Sequence, residues 1–166
     1  MKINRPLPNK KQLITNSLLY KTGLILLIIL WLISVCNVII LPEIIPVHFN
    51  GAGIADRYDS KSTLLLLAAI ATIIFSFIKY LTNHPHLLNY PVQINAANAQ
   101  RQYTTAQIML TLLNICISSI FILLNVETYL IVNKVITDLG IWFLPGTIAI
   151  ITFPVIWLTI RSIFLR

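Results

Sequence analysis

The sequence predicts an all-α integral membrane protein with four transmembrane helices and a short, hairpin-like extracytoplasmic loop between helices one and two. Of its 166 residues, 57% are hydrophobic and only 10% are charged, whereas soluble domains usually carry about 25% charged residues. Four apolar runs are long enough to cross a bilayer. A polar stretch over 41–61 separates the first two runs and holds three of the five acidic residues.

The first two helices are predicted over about 18–41 and 62–81. Residues 23–41 form an uncharged run of nineteen residues, which as a helix would span roughly 28 Å and match the hydrocarbon core. This run is longer than the apolar core of a signal peptide, and no A-x-A-like cleavage site follows it. We therefore expect it to remain as a membrane helix.

The third and fourth helices are predicted over about 108–126 and 140–160, so that one membrane domain covers 1–166. Pro145 and Pro154 fall inside the fourth run. Membrane helices tolerate proline where neighbouring groups satisfy the freed carbonyls, so we expect one kinked helix. A break into shorter helices is the alternative.

The distribution of basic residues predicts the orientation. Nine of the twelve belong to the N-terminal segment, the connector between helices two and three, and the C-terminal end. The other side carries Arg57, Lys61 and Lys134 together with all five acids. By the positive-inside rule both termini are cytoplasmic and the 41–61 loop faces out. The basic residues flank apolar runs and are not interleaved with aromatics, which argues against nucleic-acid binding.

The 41–61 loop has the pattern of a small hairpin. Prolines stiffen its start, residues 47–49 alternate as in a strand, and 50–53 supply residues that accept positive φ. We expect Phe49 and Tyr58 to lie against the membrane surface. The loop is either a stable lid on the helix bundle or a recognition surface for a peptide or another protein. The candidate recognition residues are Pro42, Pro46, His48, Phe49, Asn50, Gly53, Asp56 and Lys61.

The apolar runs argue against ion-coupled transport. Apart from the flanking Lys21, no Asp, Glu, Lys, Arg or His lies within them, since the second run ends at Ile78, before Lys79. The neutral polar residues there are expected to form hydrogen bonds between helices; they are Asn37, Asn114, Ser118 and Ser119.

Catalytic and metal-binding patterns are missing from the sequence as well. His48 could approach the loop acids across the turn, but no compact metal-ligand spacing, phosphate loop or nucleophile elbow is present. We therefore expect no enzymatic activity, no metal and no cofactor.

The connector over about 82–107 begins with proline-containing turns. From Asn95 onward its composition favours a helix, with Asn95 as the N-cap. We expect this segment to lead into the third membrane helix along the inner headgroups.

One pattern in the loop consists of Leu41, Pro42, Ile45, Pro46, His48, Phe49, Gly53, Asp56, Ser60 and Lys61. This pattern resembles the signature of a bacterial membrane domain of unknown function, DUF1648. The connector resembles a second block of that family through Asn89, Tyr90, Pro91, Asn98, Arg101 and Tyr103. Ala96 and Ala97 depart from it, since relatives tend to have Thr and Glu there.

This resemblance implies a function. The family is similar to the N-terminal part of SdpI-type immunity proteins, which protect bacteria from a secreted toxin and relay a signal to a repressor; this chain is shorter and lacks their additional helices. The resemblance implies a non-enzymatic accessory of the bacterial plasma membrane, acting in peptide-toxin immunity or envelope signalling. Its expected partners are the lipid bilayer and a peptide toxin or a membrane or regulatory protein. The alternatives are a small transport component, a subunit of a larger transporter, and a membrane enzyme.

Overall fold

The computed structural model describes residues 5–8 and 17–164. Of the basic residues used to predict orientation, Lys2, Lys10, Lys11 and Arg166 lie outside the described residues. The main elements are α1 (Ser17–Ile40), β1 (Ile44–Phe49), β2 (Ala55–Ser60), α2 (Thr63–Asn83), α3 (Ala99–Val132) and α4 (Phe143–Phe164). A 3-10 turn, Pro85–Leu87, follows α2.

All four helices are long and apolar enough to cross a membrane, which confirms the predicted fold class. Their outward faces expose Ile, Leu and Phe side chains along most of each helix, as expected of surfaces that contact lipid. Helices α1 and α2 pack through a buried apolar cluster that includes Leu30, Ala68 and Phe75. The chain is thus built as a multi-pass membrane protein.

Helix α3 extends beyond the predicted membrane run 108–126 at both ends, and on its N-terminal side it includes most of the helical segment that was expected to lead into it. It begins after Asn98, three residues beyond the predicted cap Asn95, whose side chain instead accepts hydrogen bonds from Ala97 N and Asn98 N in the preceding turn. At its other end the helix continues through Glu127 to Val132. The apolar run ends where polar residues appear in the sequence. The backbone hydrogen bonds of the helix continue through those residues, so the helix is longer than the run.

Helix α3 occupies the centre of the fold, in contact with α1, α2 and α4. Its buried face carries a stripe of polar side chains. These are Gln102, Gln107, Thr111, Asn114, Ser118, Asn125 and Thr128. Several repeat at seven-residue intervals, which keeps them on one side of the helix. The protein therefore packs its central helix through polar side chains as well as through buried apolar ones such as Leu110 and Ile120.

Helix α4 is continuous through Pro154, as predicted, and Pro145 lies in its first turn. Proline is tolerated in the first turn because the amide it lacks would have no partner within the helix. The main neighbour of α4 is α3, and most of its surface is exposed. Part of the α4 surface is therefore not packed against another helix and lines grooves beside α3.

The predicted hairpin is present as a two-stranded antiparallel sheet. Pro46 pairs with Tyr58, His48 with Arg57 and Phe49 with Ala55, and the register shifts on both sides of His48. These irregularities re-aim side chains near the turn. Ile45 is fully buried beneath the sheet, against Leu41 and Leu64, so the hairpin is anchored on the ends of α1 and α2.

Candidate functional site

The base of the hairpin is closed by contacts that join the ends of α1 and α2. Lys61 Nζ donates to the Leu41 carbonyl at 3.0 Å and lies 3.9 Å from the Glu43 carboxylate. The Lys61 amide donates to the Glu43 carbonyl, and Ser60 Oγ donates to Glu43 Oε1, both at 2.9 Å. Lys61 therefore has a structural role in the hairpin.

The turn of the hairpin is organised by Asn50. Its Oδ1 accepts hydrogen bonds from Ala52 N at 2.9 Å and Ile54 N at 3.1 Å, an arrangement that Asn favours because its side chain can replace a backbone acceptor. Gly53 completes the turn at φ +82°, where any other residue is strained. Gly53 thus has the positive φ that was expected of this stretch, whereas Asn50 forms the turn through its side chain.

The tip of the hairpin is held by the segment that joins α3 to α4. The Leu139 amide donates to the Gly53 carbonyl at 3.0 Å. A Cβ added to Gly53 would lie 2.7 Å from the Gly140 oxygen and 2.8 Å from its nitrogen. Gly140 is itself held by a 2.9 Å hydrogen bond from its amide to Asp138 Oδ1. The hairpin is therefore fixed at its tip as well as at its base.

His48 and Asp56 face each other across the two strands. His48 Nδ1 lies 2.5 Å from Asp56 Oδ1, and both side chains are well exposed. Across residues 5–8 and 17–164, no group of three or more His, Cys, Asp or Glu side chains is arranged to hold a metal ion. The pair presents one polar feature on a rigid surface, which suits recognition by hydrogen bonding and charge.

Of the remaining loop candidates, some are buried and support the hairpin, and others are exposed on its surface. Pro46 is buried, whereas Pro42 is exposed. Phe49 is half-buried and, with His48, lines a groove of about 240 Å³ between the hairpin and the ends of α3 and α4. Tyr58 is 60% exposed. Phe49 thus contributes to packing, and Tyr58 is presented to the surroundings.

The connector candidates come together at the opposite end of the bundle. Tyr90 and Tyr103 have ring centroids 5.8 Å apart, and Tyr103 is only 1% exposed. The Tyr90 hydroxyl donates to the Pro85 carbonyl at 2.8 Å, and the Tyr103 hydroxyl donates to the Pro6 carbonyl at 2.7 Å. The two tyrosines therefore tie the connector and the N-terminal segment to α3.

Arg5 completes this tyrosine cluster, and sequence reasoning did not single it out as a contact. Its guanidinium carbon lies 5.5 Å from the Tyr90 ring centroid, and it donates hydrogen bonds to the carbonyls of His86 and Leu88. Burial raises the pKa of Tyr90, nearby Tyr103 raises it further, and the charge of Arg5 partly opposes both. Tyr90 is thus a neutral hydrogen-bond donor.

The other connector candidates have structural positions. Asn98 Nδ2 donates to the Gln93 carbonyl at 3.0 Å, and its Oδ1 accepts from the Asn95 amide at 2.9 Å. Asn89 and Pro91 line a small cavity of about 120 Å³ beside α3 and α4. Arg101 is exposed on the first turn of α3. The structure brings Asn89, Tyr90 and Pro91 against α3 but leaves Arg101 on the surface.

The polar stripe of α3 was predicted only in part. Asn37 donates to the Asn125 carbonyl at 3.0 Å, and Asn114 donates to the Phe75 carbonyl at 3.4 Å, which confirms interhelical bonding for these two residues. Ser119 instead is exposed and lines a groove. Gln102, Gln107 and Asn125 were missed, although their placement within or beside a long apolar run could have indicated them.

The missed residues join different helices to α3. Gln102 Nε2 donates to the Ser162 carbonyl of α4 at 2.8 Å, and Gln107 Nε2 donates to the Thr82 carbonyl of α2 at 2.9 Å. Asn125 Oδ1 accepts from Ser34 Oγ of α1 at 3.2 Å. Each bond removes a polar group from the lipid environment, where an unsatisfied group is costly.

Residues 25–80 match the model of a domain of unknown function, DUF1648. The matched region contains most of α1, the whole hairpin and most of α2. It therefore includes the candidate recognition loop and excludes the tyrosine cluster. The predicted resemblance of the loop to this family is confirmed over that region.

One relative is an uncharacterised protein from the archaeon Archaeoglobus fulgidus. It is 32% identical over 85 residues, which cover 46% of this chain and 46% of the relative. The chain thus spans about half the length of the relative it matches. No solved structure matches the chain.

Proposed function

We propose that this chain is a non-enzymatic membrane protein whose hairpin recognises a polypeptide, in peptide-toxin immunity or envelope signalling at the bacterial plasma membrane. The observation that carries the proposal is the way the hairpin is held. It is fixed at its base by Lys61 and at its tip by Gly140, yet it leaves His48 and Asp56 exposed as a pair. Rigid support of an exposed polar pair is typical of a binding surface.

In this proposal the hairpin lies outside the cell. The described N-terminal residues and the end of α4 both contact the other side of the bundle, through Arg5 and Ser162. The charge bias of the sequence then assigns that side to the cytoplasm. A secreted peptide would meet the hairpin, and the connector would face cytoplasmic partners.

The test uses His48→Ala, Asp56→Ala and the double variant in a strain that lacks the native copy. Toxin survival or reporter output is measured together with protein abundance and the melting temperature in detergent. We expect each single variant to lose function at normal abundance. The double variant should be no worse than either, because the two side chains act as one unit.

Asp59→Asn is the matched control. It changes another exposed hairpin carboxylate, whose Oδ1 accepts from the adjacent Ser60 amide, and it should retain function. If both pair variants keep full function at normal abundance, the hairpin is only a lid on the bundle. If function and abundance fall together, the pair contributes to folding and not to recognition.

The alternative, a small transport component, is favoured by one observation. Glu127 lies inside α3, a helix that can span the membrane. The four apolar runs of the sequence contain no acidic residue, because the third of them ends just before Glu127. Intramembrane carboxylates often lie on transport paths. A neighbouring gene for a transporter would favour this alternative, and a neighbouring repressor or toxin gene would favour recognition.

A further inference from the structure

One oxygen of the Glu127 carboxylate is buried without a partner, although the residue as a whole is only half-buried. Its Oε2 atom is shielded from solvent and has no hydrogen-bond partner within residues 5–8 and 17–164. The other four acids each have one, in the pairs Glu43–Ser60, Asp56–His48, Asp59–Ser60 and Asp138–Gly140. A buried carboxylate oxygen in apolar surroundings is costly unless something pairs with it.

Glu127 faces a groove of about 290 Å³ between α3 and α4. The α3 side of the groove is formed by residues on one helical face, including Ile120, Leu123 and Glu127. Among the described residues that line the groove, Glu127 alone is charged. The volume is near the lower limit of about 300 Å³ for small-molecule pockets, so the groove fits a small or slender ligand.

The α4 side of the groove carries a glycine. Gly146 lines it, and a Cβ added there would meet no atom within 4 Å. Gly146 has no positive φ, so a turn does not require it. A glycine in a helix is disfavoured relative to alanine by about 1 kcal/mol, and here its effect is to leave open space opposite Glu127.

Aromatic rings complete the site. Trp142 and Phe143 line the groove at the start of α4, and Trp142 is 80% exposed. Aromatic faces attract organic cations, above all quaternary ammonium groups, and a carboxylate pairs with the same charge. A metal ion would need several carboxylate or similar ligands together. Within the described part of the chain, no group of three or more His, Cys, Asp or Glu side chains provides them.

We infer that this groove, whose principal residues are Glu127, Trp142, Phe143 and Gly146, binds the ammonium group of a single-chain amphiphile. The ammonium group lies against the Glu127 carboxylate and the aromatic rings, and the alkyl chain lies along Leu123 and Ile120. Charge complementarity favours the ammonium head group of the amphiphile. The apolar walls of the groove, which open beside lipid, favour its alkyl chain. The site shares no residue with the His48–Asp56 pair, so it stands independently of the proposed recognition function.

The experiment titrates the full chain in neutral maltoside micelles with decyltrimethylammonium and follows tryptophan fluorescence and melting temperature. We expect saturable binding by the wild type. Glu127→Gln keeps the size of the side chain and removes its charge, and should weaken binding by about tenfold or more. Gly146→Leu keeps the charge and fills the groove, and should abolish saturable binding.

Both variants should fold, because leucine has the higher helix propensity and glutamine is the easier residue to bury. Size-exclusion profiles and melting temperatures without ligand verify this. Glu43→Gln, at an acid outside the groove, is the control and should bind as the wild type does.

Unchanged affinity in Glu127→Gln, or equal affinity for uncharged decanol, would overturn the inference, since the groove would then be only an apolar surface. A final comparison uses nanodiscs of phosphatidylglycerol with and without phosphatidylethanolamine. Competition by phosphatidylethanolamine that depends on Glu127 would show that a bilayer lipid occupies the groove, and would overturn the assignment to a single-chain amphiphile.

Discussion

Gly53 and Gly140 lie backbone against backbone, 87 positions apart in the chain, and this contact joins the hairpin to the segment between α3 and α4. Both have positive φ, +82° and +77°. Only at Gly53 is there no room for a Cβ. The two glycines therefore differ in what a substitution would cost, which makes them a useful pair for testing how the hairpin is held.

Gly53→Ala should destabilise the protein by about 2 kcal/mol or more, because it adds a backbone clash to positive-φ strain. Gly140→Ala should cost about 1 kcal/mol from strain alone. Gly51→Ala is the control, since open space surrounds that position and its φ is not positive. Thermal melting in detergent measures all three, and equal effects at Gly53 and Gly51 would contradict the tip contact.

Asn125→Leu should destabilise the bundle by about 1 kcal/mol. It removes the acceptor of Ser34 Oγ from a fully buried position. Asn133→Leu is the matched control, because Asn133 also donates to a carbonyl one turn earlier but is exposed. Chemical denaturation in micelles compares the two variants. A larger loss at Asn133 would mean that the polar stripe of α3 contributes little to packing.

Arg5→Ala should release the N-terminal segment from the tyrosine cluster, and Arg5→Lys should restore it only in part. Lysine carries the charge but lacks the planar group that can serve two carbonyls and a ring together. Cleavage by proteinase K, followed by mass spectrometry, should be faster near the N-terminus in both variants. Arg161→Lys, at an exposed arginine of α4, should leave the cleavage rate unchanged.

Stability should fall as the pH rises above about 10, with a contribution from Tyr90. Burial raises its pKa in the folded state above the ordinary value of 10. The folded protein therefore holds this proton more tightly than the unfolded chain, and the stabilisation present below pH 10 is lost as the pH rises. Tyr90→Phe should reduce this alkaline loss in melting experiments between pH 8 and 11. An unchanged pH dependence would contradict the burial of the phenol.

Much of the fold could be predicted because it follows from local patterns. Apolar runs of membrane length specify the helices, and the Asn50–Gly53 sequence specifies the turn. The C-terminal end of α3 could not be placed in this way, since its hydrogen-bond ladder continues through the polar residues that follow the apolar run. For the same reason Glu127, which directly follows the predicted run 108–126, was expected outside the helix but belongs to it.

The candidate site could be predicted less completely, because its geometry depends on distant contacts. That His48 and Asp56 could approach each other followed from the turn between them. The support of the tip by Leu139 and Gly140 has no local signal in either segment. The open space beside Gly146 depends on how α4 lies on α3, which no pattern within α4 specifies.

The length of α3 has a mechanical consequence. Its 34 residues extend roughly 51 Å, more than the hydrocarbon thickness, and contain neither proline nor glycine. Such a rod bends little. Tyr103 is near one end and Glu127 near the other, so tilting α3 by repacking it at one face must displace its contacts at the opposite face. A displacement of one end of this helix is therefore expected to move the other end as well.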